Sequence, residues 1–309
     1  MSSKVKDAGM IAGMILAWSV YYAVSKHLVD TTGSAFLVGF LLRSAALVFL
    51  TVQIFADGGY RRLFRQGRTA WILLLIGVLG FLLDMFANLG YAGGSLSTGT
   101  ALLKTDVLMV NILTVAIYRK KLYGSDWIGS IIMLAGVILV LGIDVTGLEF
   151  HFTDVFFLLS ALCVTVNAFL IKHVQEKRNG DPDTISYYNN FVVLVLFALS
   201  TAVRGDFRII GSLEPLSLWP LVTLGGLAQT LIYFFYYRNL KRHEVWIVKL
   251  WLLLMPVVSC FIGIFFLGEQ MTWVKALGIL IVLAGAALIL LRERFHPKKK
   301  DGIEEDKCE

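Results

Sequence analysis

The chain alternates between long apolar runs and short polar or glycine-rich breaks. Runs such as 71–83 and 128–142 lack the period-two alternation that a β-barrel strand would show. A helix needs about 20 apolar residues to cross the hydrocarbon core, and backbone groups in lipid must bond within their own segment. The pattern therefore predicts transmembrane helices. We place ten of them at residues 8–29, 35–56, 70–91, 96–117, 125–143, 153–173, 185–203, 217–240, 245–267 and 272–292.

Composition agrees with a lipid-solvated surface. Of 309 residues, 57% are hydrophobic and only 16% charged, and the mean hydropathy is +0.75. A soluble domain of this length needs more polar surface. The cysteines, Cys163, Cys260 and Cys308, show neither disulfide nor metal-ligand spacing. We expect an integral membrane protein whose partners include membrane lipid and exclude nucleic acid.

Lysine and arginine placement predicts the orientation of these spans. With the N-terminus inside, twenty-one of the 28 basic residues fall in cytoplasmic segments, and the outer loops hold only Arg204 and Arg208. The other five lie within spans: Lys26, Arg43, Lys104, Lys249 and Lys275. We expect ten spans with both termini cytoplasmic, in a multi-pass protein of a bacterial cytoplasmic (plasma) membrane. Lys249 lies one turn from the inner surface, and we expect it to snorkel there.

The two halves of the chain repeat each other weakly. Gly129 and Gly136 are seven residues apart, as are Gly278 and Gly285 in the second half. We assign residues 1–147 and 148–294 to two five-helix repeats and 295–309 to a charged cytoplasmic tail. Because five is odd, the second repeat enters the membrane in the opposite orientation. Inverted repeats around a midplane site are a recurring plan of secondary transporters.

A set of short motifs extends over nearly the whole chain: Trp18-Ser19, Lys26, Leu41-Leu42-Arg43, Asn88, Pro256, Leu267-Gly268-Glu269, Gly278 and Gly285. In these motifs the sequence resembles the drug/metabolite transporter superfamily, specifically its ten-helix branch with two EamA-type halves. The first half departs from the pattern at Lys120, where a Glu is usual, and at Val107, where a Pro is usual.

This resemblance implies an all-α bundle with spans 1–4 and 6–9 around a central cavity. It also implies that spans 5 and 10 lie at the periphery, where they can form a homodimer contact. The superfamily handles amino acids, nucleobases, sugars, nucleotide sugars and drugs, so the resemblance does not single out one substrate.

Four ionisable residues within the spans are the sharpest functional signal: Arg43, Asp84, Lys104 and Asp106. They lie seven to ten residues from the outer ends, at a depth of roughly 10–15 Å. Each would cost about 2.5–3.5 kcal/mol facing lipid, so they must face each other or water. In one interpretation Arg43 pairs with Asp84 or Asp106 and locks helices together. In the other, Lys104 or Asp106 contacts substrate or carries a coupling proton.

Helical spacing extends this set of candidate substrate-binding residues. Lys104 and Asp106 are two residues apart, about 200° around a helix, so only one can face a given cavity. Asn111 follows Lys104 on the same face, which favours Lys104. Asp84 shares its face with Asn88. Polar or aromatic residues at helical spacing give further candidates, although this spacing fits interhelical packing as well as substrate binding. They are Trp18, Tyr22, Asn167, Gln229 and Tyr233.

Other functional classes find less support. No glycine-rich phosphate loop appears, which disfavours a primary pump. The histidines lie at span ends, in loops or in the tail, which disfavours an intramembrane metal or proteolytic site. We therefore expect no enzyme activity and no cofactor. The chain is predicted to be a secondary transporter, an exporter or exchanger of small polar or amphipathic metabolites such as amino acids, nucleobases or drugs. A channel and a non-transporting membrane scaffold or lipid-handling protein are the alternatives.

Overall fold

The computed structural model describes residues 3–63, 66–93, 102–119, 122–140, 154–212, 215–255, 257–258, 261 and 272–295. Within these residues the regular structure is helical. The main helices are α1 Ser3–Thr32, α2 Ala35–Ala56, α3 Ala70–Gly93, α4 Asp106–Tyr118, α5 Gly124–Val140, α6 Asp154–Lys177, α7 Pro182–Arg204, α8 Pro215–Arg242, α9 Val245–Leu252 and α10 Trp273–Phe295. Short helical turns at Tyr60–Leu63, Gly67–Thr69 and Asp206–Ser212 lie between them.

Six of these helices are long and apolar enough to cross a membrane: α1, α2, α3, α6, α7 and α8. Shorter apolar helices cover Gly124–Val140 in α5 and Trp273–Ile289 in α10. A described helix overlaps each of the ten predicted spans, although α4 and α9 are described over 13 and 8 residues only. The all-helical, multi-pass architecture is therefore confirmed. The count of ten crossings and the cytoplasmic termini stay predictions.

Local sequence signals explain where helices begin. Ser34 precedes α2, and its side chain accepts a hydrogen bond from the Leu37 N–H at 3.2 Å. Asp181 precedes α7 and accepts in the same way from the Thr184 N–H at 3.1 Å. Such caps satisfy N–H groups that the first turn leaves without an intrahelical partner. Pro182 occupies the first position of α7, where its missing N–H costs nothing.

Helix packing follows a two-fold pattern. α1 packs against α8, and its counterpart in the second half, α6, packs against α3. α2 packs against α8, just as α7 packs against α3. Three pairs of equivalent helices also meet each other: α2 with α7, α4 with α9, and α5 with α10. Exchanging the two halves leaves this set of contacts unchanged.

The contact between α5 and α10 shows how the halves are oriented. A Cβ built on Gly129 would lie 3.1 Å from the Gly285 carbonyl oxygen, and one on Gly136 would lie 2.8 Å from that of Gly278. Residue numbers rise along one helix as they fall along the other, so α5 and α10 are antiparallel. α2 and α7 are antiparallel as well, since the N-terminal part of α2 meets the C-terminal part of α7 and Gln53 donates to Asp183 at 3.0 Å. Antiparallel packing of equivalent helices is the relation that an inverted repeat predicts.

The same glycines bear on the expected homodimer. Gly129 and Gly136 are covered by α10, and Gly278 and Gly285 by α5. The glycine rows therefore provide close helix packing within one chain. A homodimer through the outward-facing surfaces of α5 and α10 stays a prediction.

Candidate functional site

Arg43 lies at the centre of the first buried ion pair. Its Nη2 donates to Asp84 Oδ2 at 3.1 Å, and its Nη1 donates to the Tyr233 hydroxyl. The Arg43 carbonyl accepts from Asn190 Nδ2 at 3.0 Å. The residue joins α2 to α3, α7 and α8 while only 7% exposed. Of the two acids left open by the sequence, the structure pairs Arg43 with Asp84.

A second buried ion pair connects α4 with α9. Lys249 Nζ lies 2.9 Å from Asp106 Oδ2, and the two residues are 2% and 8% exposed. Lys249 Nζ also lies 5.8 Å from the centre of the Tyr236 ring. The expectation that Lys249 snorkels to the inner surface is wrong. Its side chain turns inward because the Asp106 carboxylate and the Tyr236 ring stabilise the ammonium charge there, as water would at the surface.

Three tyrosines of α8 connect the two ion pairs. Tyr237 packs edge-on against Tyr233, with ring centroids 5.5 Å apart, and against Tyr236 at 5.9 Å. Tyr233 contacts Arg43, and Tyr236 lies beside Lys249. We call the following residues the charge–tyrosine network: Arg43, Asp84, Asp106, Lys249, Tyr233, Tyr236 and Tyr237.

Several sequence-predicted residues lie in or beside this network. Trp18 packs edge-on against Tyr236 with centroids 5.2 Å apart. Gln229 is 4% exposed and lies one turn before Tyr233 on α8, close to its side chain. Lys104 is half-buried and lies within electrostatic range of Asp106 and Lys249. Together with Arg43, Asp84, Asp106 and Tyr233, these residues form the group that the structure brings together.

Other predicted residues lie elsewhere. Tyr22 is 49% exposed, whereas its neighbour Tyr21 lies within electrostatic range of Arg43 and Asp84. The side chain of α1 that approaches the network is therefore Tyr21, one position from the predicted one. Asn111 is fully buried and donates to Ser130 Oγ of α5 at 3.1 Å, so it joins α4 to α5.

The two remaining predicted residues are the asparagines Asn167 and Asn88. Asn167 is 5% exposed on α6, and its Oδ1 accepts no hydrogen bond from the part of the chain that the structure describes. The Asn88 side chain lies outside the described residues.

Five residues in or beside the network were not among the predicted site residues: Tyr21, Asn189, Tyr236, Tyr237 and Lys249. Asn189 Nδ2 donates to the Tyr237 hydroxyl at 2.5 Å. A sequence signal existed for Asn189, since Asn189 and Asn190 directly precede the apolar run 191–199 of α7. Lys249 was also visible as a charge within a span. Its role depends on the rotation of α9, which periodicity over so short a segment does not define.

Exposure differs between the partners of the first ion pair. The Arg43 side chain is 9% exposed, but that of Asp84 is 29% exposed. Asp84 lies in the middle of α3, where a charge facing hydrocarbon costs about 2.5–3.5 kcal/mol. We therefore expect the open side of this carboxylate to face water rather than hydrocarbon.

Helices α4 and α9 are both interrupted close to the second ion pair. Before α4, the Thr105 N–H and hydroxyl both donate to the Leu102 carbonyl, at 3.1 and 2.6 Å. After α9, the Leu253 N–H donates to the Leu250 carbonyl at 3.0 Å. These bonds to the third preceding residue tighten the chain locally. Pro256, which lies within the ninth predicted span, is outside the described residues.

Matched interruptions in the two halves of a transporter are typical of a binding site at the midplane. A family model described as the EamA-like transporter family matches residues 7–142 and again residues 151–291. The chain belongs to the EamA-like transporter family. This confirms the resemblance to the drug/metabolite transporter superfamily and shows two family repeats in a multi-pass membrane transporter.

The fold of this EamA-like transporter is also found among solved structures. One crystal structure of a protein aligns with a TM-score of 0.74 and 18% sequence identity, covering 94% of this chain and 99% of the other. At that identity the likeness shows the fold alone. No curated protein matches the sequence.

Proposed function

We propose that this transporter exports or exchanges small polar or amphipathic metabolites, such as amino acids, nucleobases or drugs, by binding them beside the charge–tyrosine network. The observation that carries the proposal is the presence of two ion pairs within the predicted spans, one of which joins the two repeats. Asp106 belongs to the first repeat and its partner Lys249 to the second. Arg43 of the first repeat likewise binds Tyr233 of the second.

These contacts connect binding with movement of the repeats. Alternating access needs one repeat to move against the other around a fixed site. Such movement changes the distances between Arg43 and Tyr233 and between Asp106 and Lys249, since the partners lie on different repeats. A solute whose polar groups bind these side chains interacts differently with the two conformations. That difference is the requirement for a ligand to shift a conformational equilibrium.

We further infer that the chain crosses a bacterial cytoplasmic (plasma) membrane ten times, with both termini in the cytoplasm. Support comes from the basic residues, which concentrate in the segments predicted to be cytoplasmic. The antiparallel packing of α5 against α10 agrees with five crossings in each repeat.

Counterflow tests the transport proposal. Purified full-length protein in liposomes is loaded with each solute of an amino-acid, nucleobase and cationic-drug panel, and uptake of the labelled solute is followed. We expect saturable counterflow for at least one solute. Asp84→Asn and Asp106→Asn should each lower its initial rate at least about tenfold, the change that a loss of 1.4 kcal/mol produces.

Asp7→Asn is the matched control for these variants. Asp7 pairs with Arg242 at 3.0 Å, but its side chain is 35% exposed, so the rate should stay near wild type. Equal losses in all three variants would count against the site. Flux without saturation would identify a channel, and a complete absence of flux together with a retained protein partner would favour the scaffold.

Proton coupling by Asp84 or Asp106 is a separate part of the proposal. A pH gradient imposed on the same liposomes should drive accumulation of the solute. Counterflow and net uptake that do not respond to the gradient would remove coupling and leave exchange.

A further inference from the structure

The charges around the network do not balance. Arg43 is paired with Asp84, and Lys249 with Asp106. Lys104 is a third cation at the same site. The sequence alone suggested two positive and two negative charges, because Lys249 was assigned to the surface. With Lys249 turned inward, the described residues of the site carry one net positive charge.

Lys104 is the cation that accounts for this excess. It makes no ion pair with any residue in the described part of the chain. Asp106 lies two positions away, yet its Oδ2 is bound to Lys249 at 2.9 Å. Lys249 lies within electrostatic range of Lys104 as well, so the ammonium groups repel each other. A lysine without an ion-pair partner within a predicted span would cost about 2.5–3.5 kcal/mol if it faced hydrocarbon.

The position of Lys104 makes it accessible to a solute. Lys104 is half-buried, whereas Lys249 and Asp106 are buried. It directly precedes the interruption at Thr105, and α4 begins at the next residue with its positive dipole end directed toward this point. Interrupted helices in transporters direct such ends at anionic groups of substrates. The Lys104 ammonium and the N-terminal end of the α4 dipole therefore both favour a negatively charged ligand.

We propose that the transported solute is a small organic anion with one net negative charge, and that the Lys104 ammonium is its counter-ion. This inference rests on the proposed function and narrows its substrate class. The anion completes the charge balance of the site. Lys104 therefore discriminates the charge of the solute, while the two ion pairs shape the site and contact the uncharged polar groups of the solute.

The test compares acids with their neutral amides, which have nearly the same size. The full-length protein in liposomes is assayed by counterflow with three pairs: lactate and lactamide, nicotinate and nicotinamide, and glutamate and glutamine. In at least one pair the acid should move at least about tenfold faster than the amide, a difference of 1.4 kcal/mol in binding. Lys104→Gln should bring that ratio close to one, and Lys104→Arg should restore most of it.

Two further variants sharpen this comparison. Lys104→Glu should reverse the preference, so that the amide moves faster than the acid. Lys241→Gln removes an exposed lysine at the end of α8 and should leave the ratio unchanged. Thermal unfolding of the purified variants, with and without each acid, reports binding independently of flux. The same acid should stabilise wild type and Lys104→Arg but not Lys104→Gln.

The outcomes separate this inference from the transport proposal. If amides or cations show saturable counterflow as fast as acids, transport holds and the anion inference fails. An acid preference that survives in Lys104→Gln also overturns it. If nothing moves but an acid stabilises wild type through Lys104, the anion site holds and transport fails. The absence of both flux and stabilisation overturns both.

Discussion

Asp106 and Lys249 meet where water has little access to either side chain, so their ion pair differs energetically from a surface pair. Their side chains are 12% and 3% exposed. Taking both charges out of water costs free energy that their attraction has to offset. Removing one partner leaves the other charge buried and uncompensated. The buried ion pair should therefore be far more sensitive to single substitutions than the exposed pair of Arg242 and Asp7.

We predict that Lys249→Met and Asp106→Asn each lower the free energy of unfolding by about 3–5 kcal/mol. The double variant should lose less than the sum of the two, by about 0.5–3 kcal/mol, because neither charge then remains unpaired. Denaturant titration in detergent micelles measures all three values. Arg242→Gln is the control and should cost at most about 1 kcal/mol. Strict additivity of the two buried substitutions would show that the side chains do not interact.

Helices α5 and α10 approach closely because glycine removes side chains at four positions of their contact. A Cβ on Gly136 would lie 2.7 Å from the Val282 backbone nitrogen and 2.8 Å from the Gly278 carbonyl oxygen. Backbone atoms cannot move away as the end of a flexible side chain can. A methyl group added at Gly136 would therefore force α5 and α10 apart.

We predict that Gly136→Ala lowers the free energy of unfolding by about 1–3 kcal/mol, as overpacking does elsewhere. Gly9→Ala is the matched control, since a Cβ at Gly9 of α1 meets no atom within 4 Å. That change should be neutral or stabilise by up to about 1 kcal/mol, because alanine favours a helix more than glycine does. Thermal unfolding of both variants in detergent gives the comparison. An equal response would mean that α5 and α10 do not pack through Gly136.

At the scale of the whole molecule, the predicted topology combines five spans in each repeat with a strong asymmetry of basic residues. Both features require the loop that contains Arg62 and the loop that contains Arg208 to lie on opposite sides of the membrane. Arg62 and Arg208 are exposed. They therefore suit a labelling experiment that reads the orientation directly.

We predict that a membrane-impermeant maleimide labels Arg208→Cys but not Arg62→Cys in intact cells. The starting protein has Cys163, Cys260 and Cys308 replaced by serine. Permeabilised cells are the control, and there both variants should be labelled. Labelling of Arg62→Cys alone in intact cells would reverse the orientation, and equal labelling of both would show an even number of crossings between them.

The sequence by itself determined the helical, membrane-spanning character of this protein and its repeat. Lipid requires every backbone group to bond within its own helix, so a local run of apolar residues is sufficient to predict a span. The glycine spacing of the two halves indicated their equivalence. Because a charged side chain in hydrocarbon is costly, the sequence alone identified Arg43, Asp84, Lys104 and Asp106 as candidate site residues.

Only the tertiary structure decided which side chains meet. A difference of one residue rotates a side chain by about 100° around a helix, which is why Tyr21 rather than Tyr22 approaches Arg43. Lys249 and Asp106 are far apart in the chain, and nothing local in the sequence encodes their pairing. The four glycines of α5 and α10 likewise have the same appearance in sequence whether they pack within one chain or between two. Helix rotation and long-range packing therefore gave the site its two ion pairs and left Lys104 without an ion-pair partner among the described residues.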